Sequence, residues 1–510
     1  MPQLTRKGPG NWSNYHQTVE FWADDRLELA VGAHEDPDPA DYFRETAALL
    51  KLLLGEAVRN AADIRPLGGA WSFSELNRTD GAVLQTLRSG QVFAVPPGQL
   101  ATGAVGDPKC LVLAAGGTRI GALNEWLEPN GLSLKTSGAS DGQSLAGALA
   151  TGTHGSVPSM GGIQNQLRGI HLVVSDKESL WIEPAGQPTL SNTFVKQFAD
   201  RVVRDDALFR AACVHLGGLG YVNAVLLEVA PIFMLEVVQT KAVVAPDWID
   251  DLAAGNFRSV AKRLGHDEDP YFYQVILNPF GPYKKNALHR LMFKRPAPGP
   301  EAFSEAAFLD FGHLIDPMTL FAEIFATVPL LRGPAIGVMM DAMFKRIPDD
   351  SRDPPLLQTW AQTTPPHKNN GKLFSTGFAV PREQLRAALD AMFGAFHKAG
   401  GGDVVTTLRF VGKSAGTMAF TRFENNVVID FDGFRSDASR KVTQAAIAAL
   451  DAAGVPFSRH WGKMAPITAA TVQRDYGIKA DAYRIARNNL LPPEVRAVFA
   501  STALRNWGLA

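Results

Sequence analysis

Two glycine-rich segments in the first third of the chain have the composition of main chain that binds a phosphate-bearing or flat ligand. Arg65–Phe73 (RPLGGAWSF) follows a short apolar run, and Ser137–Ser156 consists almost entirely of small residues. Glycines let several backbone N–H groups converge on one anion, and small side chains let an extended ligand lie against the backbone. Arg65–Phe73 matches neither the GxGxxG fingerprint nor a P-loop. A tight turn is the alternative for the first segment, and a buried helix start is the alternative for the second.

The second segment also contains a GxSxG pattern, which marks the nucleophile of α/β-hydrolases. The pattern runs from Gly138 to Gly142 and follows the apolar run Leu132–Leu134, so a serine hydrolase that uses Ser140 is one alternative function. Such short patterns also arise by chance in a glycine-rich chain. A further glycine segment, Val214–Val222 (VHLGGLGYV), leads into an apolar strand and has a simple turn as its alternative.

Charged residues that could act on a substrate are found in the second half of the chain. Arg459–Lys463 (RHWGK) places two cations, an imidazole and an indole within five residues, and Arg409 interrupts the otherwise uncharged strand Thr406–Phe410. An arginine that faces a protein interior needs an acidic partner or an anionic ligand. The alternatives are a solvated turn for Arg459–Lys463 and an outward orientation for Arg409.

The elements that must position these residues alternate between short strands and helices in the first half of the chain, and the fold class we expect is α+β. In the region 373–453 the order is strand, helix, strand, strand, helix, which is typical of an α+β layer with helices on one face of a sheet. The predicted helices are Ala40–Asn60, Thr118–Glu128, Trp248–Ala254, Glu301–Ala326, Pro381–Lys398 and Ala438–Ala453, and the predicted strands are Ile64–Leu67, Cys110–Ala114, Leu167–Val174, Leu180–Glu183, Val222–Val229, Leu373–Val380, Val404–Val411 and Val427–Phe431.

The composition excludes several classes of protein. The 510 residues are 46% hydrophobic and 20% charged, which is ordinary for a globular protein with a large core. Fifty basic and 51 acidic residues give a formal net charge of -1, which argues against a nucleic-acid partner. Two cysteines exclude a disulfide framework and a multi-cysteine metal site, and no metal is expected. The chain shows neither a secretory signal nor a transmembrane run, so we expect a cytoplasmic protein.

Taken in order, the motifs resemble the vanillyl-alcohol oxidase, or PCMH-type, family of FAD-linked oxidoreductases, and within it the aldonolactone and alditol oxidase branch. The resemblance covers about residues 1–230 and 456–510, and it is weak over about 235–400. Ser144–Ser156 (SLAGALATGTHGS) is the most specific match, and His460–Lys463 matches the C-terminal signature of the branch residue for residue. The remaining matches are Asn11–Asn14, Arg65–Phe73, Ala115–Ile120 and Val214–Val222.

The resemblance implies an α+β fold in which a two-part PCMH-type FAD-binding domain carries an inserted α+β substrate or cap domain. The expected boundaries are 1–234 for the FAD-binding domain, 235–455 for the cap domain and 456–510 for a C-terminal segment that returns to the FAD-binding domain. The residues expected to bind FAD are Gly68, Gly69, Ala70, Trp71, Ser72, Ser137, Gly138, Asp141, Ser144, Gly147, Gly152, Thr153, His154, Gly217, Gly220, Val222 and Lys463.

Two residues depart from the family pattern. Family members with covalently attached FAD carry a histidine in the pyrophosphate loop where this chain has Trp71. Because an indole cannot readily form the histidyl link, we expect non-covalent FAD. Polyol and lactone oxidases of the branch show a Glu-x-Arg pair, and here Arg409 fits the arginine while Thr407 takes the place of the glutamate. The missing carboxylate weakens the case for a polyol substrate.

The implied reaction is hydride transfer from a CH–OH carbon to the flavin N5. Arg409 would bind or polarise the substrate oxygen, and Lys463 would be the fixed cation beside the negative charge of the reduced flavin. His460 is a candidate base or orienting group, and Thr407 completes the expected catalytic set. Together these residues predict an FAD-dependent alcohol oxidase or dehydrogenase.

The substrate is expected to be a small-molecule alcohol, and O2 is the expected acceptor, with another electron acceptor as the alternative. The apolar segment Phe308–Phe344 is rich in methionine, which suits either the core of the cap domain or a pocket for a bulky apolar alcohol. A sugar, lactone or polyol remains an alternative through Arg409 and Lys463. A flavin-binding protein without turnover is the other alternative function. The sequence does not indicate an oligomeric state.

Overall fold

The computed structural model describes residues 2–32, 37–297, 336, 357–364 and 373–510, which form a mixed helix and sheet structure. The strands are β1 (Pro2–Arg6), β2 (Gly10–Ser13), β3 (Glu20–Ala23), β4 (Arg26–Val31), β5 (Ile64–Leu67), β6 (Ala82–Arg88), β7 (Val92–Ala94), β8 (Leu111–Ala115), β9 (Leu132–Ser133), β10 (Leu167–Val173), β11 (Ser179–Glu183), β12 (Arg201–Arg204), β13 (Tyr221–Glu228), β14 (Ala230–Pro231), β15 (Phe233–Val243), β16 (Phe272–Leu277), β17 (Asn286–Pro296), β18 (Leu357–Thr359), β19 (Leu373–Pro381), β20 (Val404–Gly412), β21 (Asn425–Phe434) and β22 (Ser458–Arg459). The helices are α1 (Pro39–Arg59), α2 (Ile120–Leu127), α3 (Leu145–Thr151), α4 (Asn192–Val195), α5 (Asp206–Cys213), α6 (Pro246–Ala254), α7 (Phe257–Arg263), α8 (Leu385–Lys398), α9 (Asp437–Ala452), α10 (Ala469–Tyr476), α11 (Ile478–Leu490), α12 (Pro493–Val498) and α13 (Thr502–Asn506).

The two larger sheets formed by the described residues up to Pro231 share one hydrophobic core. A four-stranded sheet has the order β1-β4-β6-β5, and a six-stranded sheet has the order β12-β11-β10-β13-β8-β7. Strand β8 reads LVLAA and is buried at every position, which is typical of a strand covered on both faces. Helix α1 begins at Pro39, where the Asp38 side chain accepts from the Ala40 and Asp41 N–H groups. Its apolar side joins the same core.

The region from Phe233 to Arg459 contributes an eight-stranded sheet with the order β18-β15-β17-β16-β20-β21-β19-β22. Because side chains alternate across a strand, each strand of this sheet has two distinct faces. On one face Leu408 and Ile429 belong to a hydrophobic cluster that includes residues of helices α6 to α9. On β20 the alternate residues Thr407 and Arg409 line a cavity on the opposite face. The polar face of this sheet therefore forms one wall of the site described below.

The C-terminal helices α10 to α13 pack against the first half of the chain. Tyr476, Tyr483 and Leu504 belong to the same hydrophobic cluster as Leu172 and Leu216. Tyr483 donates a hydrogen bond to the His215 carbonyl oxygen at 2.7 Å, and Arg487 donates to the Gly218 carbonyl oxygen at 3.0 Å. The last fifty residues thus hold the glycine segment Val214–Val222 in place.

The predicted elements agree with the structure apart from their ends. Strand Ile64–Leu67 has the predicted bounds. The helix predicted from Pro381 begins at Leu385, because Pro381 keeps an extended backbone (φ -56°, ψ 131°) and a 3-10 turn intervenes. The predicted helix Glu301–Ala326 and the apolar segment Phe308–Phe344 lie outside the described residues, apart from Ile336. Among the helices that the structure describes, none is both long and apolar enough to cross a membrane.

Candidate active site

The turn after β5 brings two glycine-rich segments into direct contact. A Cβ on Gly69 would overlap the Gly142 carbonyl oxygen, and a Cβ on Gly68 would overlap the Ser144 side chain. Ala70 follows with a φ of 57°, in the left-handed region that favours glycine. The two segments that the sequence singled out therefore form one continuous backbone surface, and glycine is required where they meet.

The third glycine segment is fastened to this surface by Arg65 and His215. Arg65 is buried in β5 and donates to the Leu216 and Gly217 carbonyl oxygens at 3.0 and 3.1 Å. Burial lowers the pKa of Arg65 to about 10. His215 accepts from the Gly217 N–H at Nδ1, which leaves Nε2 to donate to the Ala146 carbonyl oxygen at 3.0 Å. Three segments that are far apart in sequence thus line one cavity.

Aromatic rings cover one side of the loop Gly68–Phe73. Trp71 stacks on Tyr15 with ring centroids 4.2 Å apart, and His16 stacks on Phe73 at 3.9 Å. Trp71 also meets the backbone at Gly142, where a Cβ would overlap the indole ring. The loop is therefore held by packing as well as by hydrogen bonds. Trp71 lines the cavity with an indole, at the position where the covalent members of the family that the sequence resembles have a histidine.

The C-terminal motif joins the loop to the eight-stranded sheet. Phe73 donates its N–H to the Gly462 carbonyl oxygen at 2.8 Å, and the Met464 N–H donates to the Ser375 carbonyl oxygen at 2.8 Å. Between these two anchors lies Lys463, whose Nζ is 2.7 Å from Asp430 Oδ1. The alternative of a solvated turn for this motif is wrong, since His460 and Trp461 are 7% and 1% exposed.

Arg409, Lys463 and Asp430 form a charged cluster on the wall of the cavity. Arg409 Nη1 lies 3.7 Å from Asp430 Oδ2, and Asp430 is fully buried. Burial opposes ionisation of Asp430, but Lys463 and Arg409 together hold its pKa below the ordinary value. Arg409 lines the cavity, so the expected interior orientation holds and the outward alternative is wrong.

Two buried histidines stand beside this cluster in the neutral form. Burial lowers the pKa of His154 to about 4, and burial with the neighbouring His154, Lys463 and Arg409 lowers the pKa of His460 well below its ordinary value. The Gly462 N–H donates to His460 Nδ1 at 3.0 Å. The proton of the neutral ring is therefore on Nε2, and His460 can donate a hydrogen bond there.

Most of the residues expected to bind a cofactor or act on a substrate line a single cavity of about 470 Å³. Three of them do not: Ser137 accepts from the Trp360 indole at 2.8 Å, Gly152 ends helix α3 with a φ of 70°, and Asp141 accepts from the Gly121 N–H through its backbone. Those that line the cavity are Gly68, Gly69, Ala70, Trp71, Ser72, Gly138, Ser144, Gly147, Thr153, His154, Gly217, Gly220, Val222, Thr407, Arg409, His460 and Lys463.

Several residues of the site were not expected from the sequence. Gln274, Ser375 and Asp432 line the cavity from three different strands of the eight-stranded sheet, and no local motif marks Gln274 or Ser375. Asp432 and its neighbour Asp430 had a signal, because they are charges inside the largely apolar strand β21, as Arg409 is in β20. The same reasoning applied to β21 would have identified both.

Among the residues that the structure describes, Ser140 has no catalytic partner. Ser140 Oγ accepts from the Gln143 amide at 2.6 Å, rather than from an imidazole that could act as its base. Residues 138–142 also lie in a loop without the strand-to-helix turn on which the hydrolase pattern depends. The GxSxG match at Ser140 therefore lacks its structural context.

The cavity suits a long ligand that has both an anionic and a flat part. Glycine backbone that cannot accept a side chain lines one region of it at residues 68–69, and Lys463 and Arg409 of the charged cluster line another. Arg409 Nε is buried and has no hydrogen-bond partner among the described residues. A dinucleotide cofactor such as FAD fits the first region and leaves polar groups of the second for a substrate.

Comparison with known proteins also indicates an FAD-binding domain. Residues 43–182 match the protein family described as FAD binding domain. Over 481 residues, 90% of this chain and 94% of the relative, the chain is 24% identical to L-gulono-1,4-lactone dehydrogenase of Mycobacterium tuberculosis. It is 27% identical to D-arabinono-1,4-lactone oxidase of Yarrowia lipolytica over 202 residues, 39% of this chain and 34% of that protein.

Two solved structures share the fold. Cholesterol oxidase from Brevibacterium sterolicum, as a His121Ala mutant, aligns with a TM-score of 0.68 over 99% of this chain and 97% of its own, at 14% identity. The 6-hydroxy-D-nicotine oxidase from Arthrobacter nicotinovorans aligns with a TM-score of 0.54 over 91% of this chain and 90% of its own, at 14% identity. The likeness extends over the eight-stranded sheet as well as the glycine-rich half.

Proposed function

Because this chain is an FAD-dependent oxidoreductase of the vanillyl-alcohol oxidase type that acts on CH–OH groups, we propose that it oxidises a hydroxylated lactone or alcohol with O2 as acceptor. One observation supports this most directly: Lys463 and Arg409 line the same cavity as the Gly68-Gly69 turn. A hydroxyl group bound in this cavity would contact Lys463 and Arg409. The lactone is preferred because the relatives named above carry lactone names.

We assign residues 1–234 and 456–510 to the FAD-binding part and 235–455 to the cap. The shared hydrophobic cluster of helices α10 to α13 and the first half of the chain supports the return of the C-terminal segment. The first residues of the C-terminal segment still belong to the cap sheet: strand β22 pairs with β19 and is the last strand of that sheet. We therefore propose that the chain returns to the FAD-binding part after Arg459, within the segment 456–510.

In this proposal FAD supplies the hydride acceptor, and the side chains of the chain bind and orient the substrate. Arg409 would donate to the substrate oxygen, and Lys463 would offset the negative charge that develops as the hydride leaves. Thr407 would add a hydroxyl contact from the next inward-facing position of β20. His460, which donates through Nε2, would orient the substrate oxygen, and the hydroxyl proton would pass to solvent water.

The test of the proposed function is anaerobic reduction of the purified yellow protein. A panel of aldonolactones, sugar alcohols and apolar alcohols is mixed with the protein, and loss of the flavin absorbance is followed. Bleaching by at least one lactone or alcohol, followed by peroxide formation on admission of air, is the expected result. A protein that keeps its colour with every member of the panel would be a flavin carrier without turnover.

We propose that FAD is bound without a covalent link, because Trp71 stands where a histidine forms the link in covalent members. Its indole is packed against Tyr15 and the backbone at Gly142, so the ring is held in place. Precipitation of the protein with acid should therefore release all of the flavin into the supernatant. Yellow colour that stays with the precipitate, or a fluorescent band on a denaturing gel, would contradict the proposal.

A further inference from the structure

Asp430 is a buried carboxylate that lies beside the cationic side chains of Lys463 and Arg409. It lies on β21 with no exposed surface, 2.7 Å from Lys463 Nζ and 3.7 Å from Arg409 Nη1. Burying a carboxylate is unfavourable unless it is paired. Lys463 and Arg409 are its partners, and both of them line the cavity while Asp430 itself does not.

The backbone next to Asp430 has space for the Asp430 and Lys463 side chains only because the neighbouring residue is a glycine. Gly377 is its partner on β19, and a Cβ there would overlap Asp430 Oδ1 and lie 3.2 Å from Lys463 Cδ. Thr407 is its partner on β20. Opposite residues on paired strands present their side chains on the same face. Asp430 is therefore the direct neighbour of Thr407 on the adjacent strand, and Thr407 is the position that lacks the expected carboxylate.

The other charged groups near Lys463 do not replace Asp430. Asp432 Oδ1 is 3.7 Å from Lys463 Nζ, and it already accepts from Ser375 Oγ at 2.6 Å. Asp432 is also partly exposed, with 32% of its side chain accessible. Since an exposed carboxylate is screened by water, Asp430 is the stronger electrostatic partner.

We propose that Asp430 is the positioning carboxylate of the active site: from β21 it holds Lys463 and Arg409 in the cavity and supplies the negative charge that Thr407 lacks. The inference rests on the proposed function, since the two cations act on the substrate and the flavin. An ammonium group fixed by a carboxylate needs no reorientation when charge develops beside it. Asp430 acts through these cations and touches neither substrate nor cofactor.

The test replaces Asp430 by the isosteric amide in the full-length holoenzyme. Asp430→Asn should slow anaerobic flavin reduction at saturating substrate at least about tenfold, with FAD content unchanged. Acetylation of Lys463 by acetic anhydride, followed by mass spectrometry, should become severalfold faster, because the amine loses its ionic partner. Adding Thr407→Glu to Asp430→Asn should restore the slow acetylation of Lys463, because it places a carboxylate at the opposite register position.

Asp475→Asn is the matched control for loss of a buried carboxylate. Asp475 pairs with Arg459 at 2.6 Å, and both are buried, but Asp475 does not line the cavity. This variant should lower the melting temperature while leaving flavin reduction and Lys463 acetylation close to wild type. Equal slowing in both variants would attribute the Asp430 effect to general damage and overturn the inference.

The outcomes separate this inference from the proposed function. If wild type is reduced by a CH–OH donor but Asp430→Asn shows the same rate and the same acetylation of Lys463, the inference fails and the proposed function stands. If no donor reduces wild type, the proposed function fails, and acetylation of Lys463 alone decides the role of Asp430. Should Asp430→Asn not fold, the double variant with Thr407→Glu decides through acetylation of Lys463: acetylation as slow as in wild type supports the inference, and fast acetylation overturns it.

Discussion

Replacing Lys463 by alanine is expected to slow reduction of the bound flavin by about 10²–10³-fold, the usual effect of removing one preorganised charge from an active site. The reason is that Lys463 lines the cavity with its side chain 13% exposed and its amine fixed by Asp430. Without it, the negative charge that would develop on the flavin during hydride transfer loses a fixed cation of the cavity. Stopped-flow absorbance of the anaerobic holoenzyme measures the effect, and circular dichroism checks that the fold is retained.

Lys413→Ala is the matched control for this prediction. Lys413 pairs with Glu424 on the surface, and its side chain is 52% exposed. An exposed pair of this kind contributes little to stability, so the variant should reduce its flavin at the wild-type rate. Unchanged reduction kinetics in Lys463→Ala would remove Lys463 from the catalytic set.

Replacing Gly69 by alanine is expected to weaken FAD binding by about 10- to 100-fold, since overpacking typically costs about 1–3 kcal/mol. The added Cβ overlaps the Gly142 carbonyl oxygen, and a backbone atom cannot rotate away as a side chain can. The two glycine-rich segments must then separate, which distorts the surface proposed to hold the cofactor. Titration of the FAD-free protein with FAD, followed by quenching of flavin fluorescence, measures the change in affinity.

Gly394→Ala provides the comparison for Gly69→Ala. Gly394 lies inside helix α8, and a Cβ there would meet nothing within 4 Å outside its own helix. Alanine at a helix interior is favoured over glycine by about 0.5–1 kcal/mol, so this variant should bind FAD normally and melt slightly higher. Wild-type FAD affinity in Gly69→Ala would show that the two segments do not form the cofactor surface.

The sequence by itself was sufficient for the motifs and for the local elements that carry them. Small residues over Ser137–Ser156 and the Gly68-Gly69 turn indicated a backbone binding surface, and both segments line the cavity. The apolar alternation of β20 placed Arg409 apart from its neighbours Leu408 and Phe410. These inferences succeed because chain flexibility at glycine and the two-residue period of a strand are local properties.

Only the tertiary structure decided which residues meet. Arg65 reaches the carbonyl oxygens of Leu216 and Gly217, 151 and 152 residues away, and Asp430 meets Lys463 through the pairing of β19 with β21. The sequence shows that Thr407 stands where the family pattern has a glutamate, and the sheet places another carboxylate, Asp430, directly opposite it. Strand register, and not distance along the chain, sets such neighbours, because opposite residues of paired strands share one face.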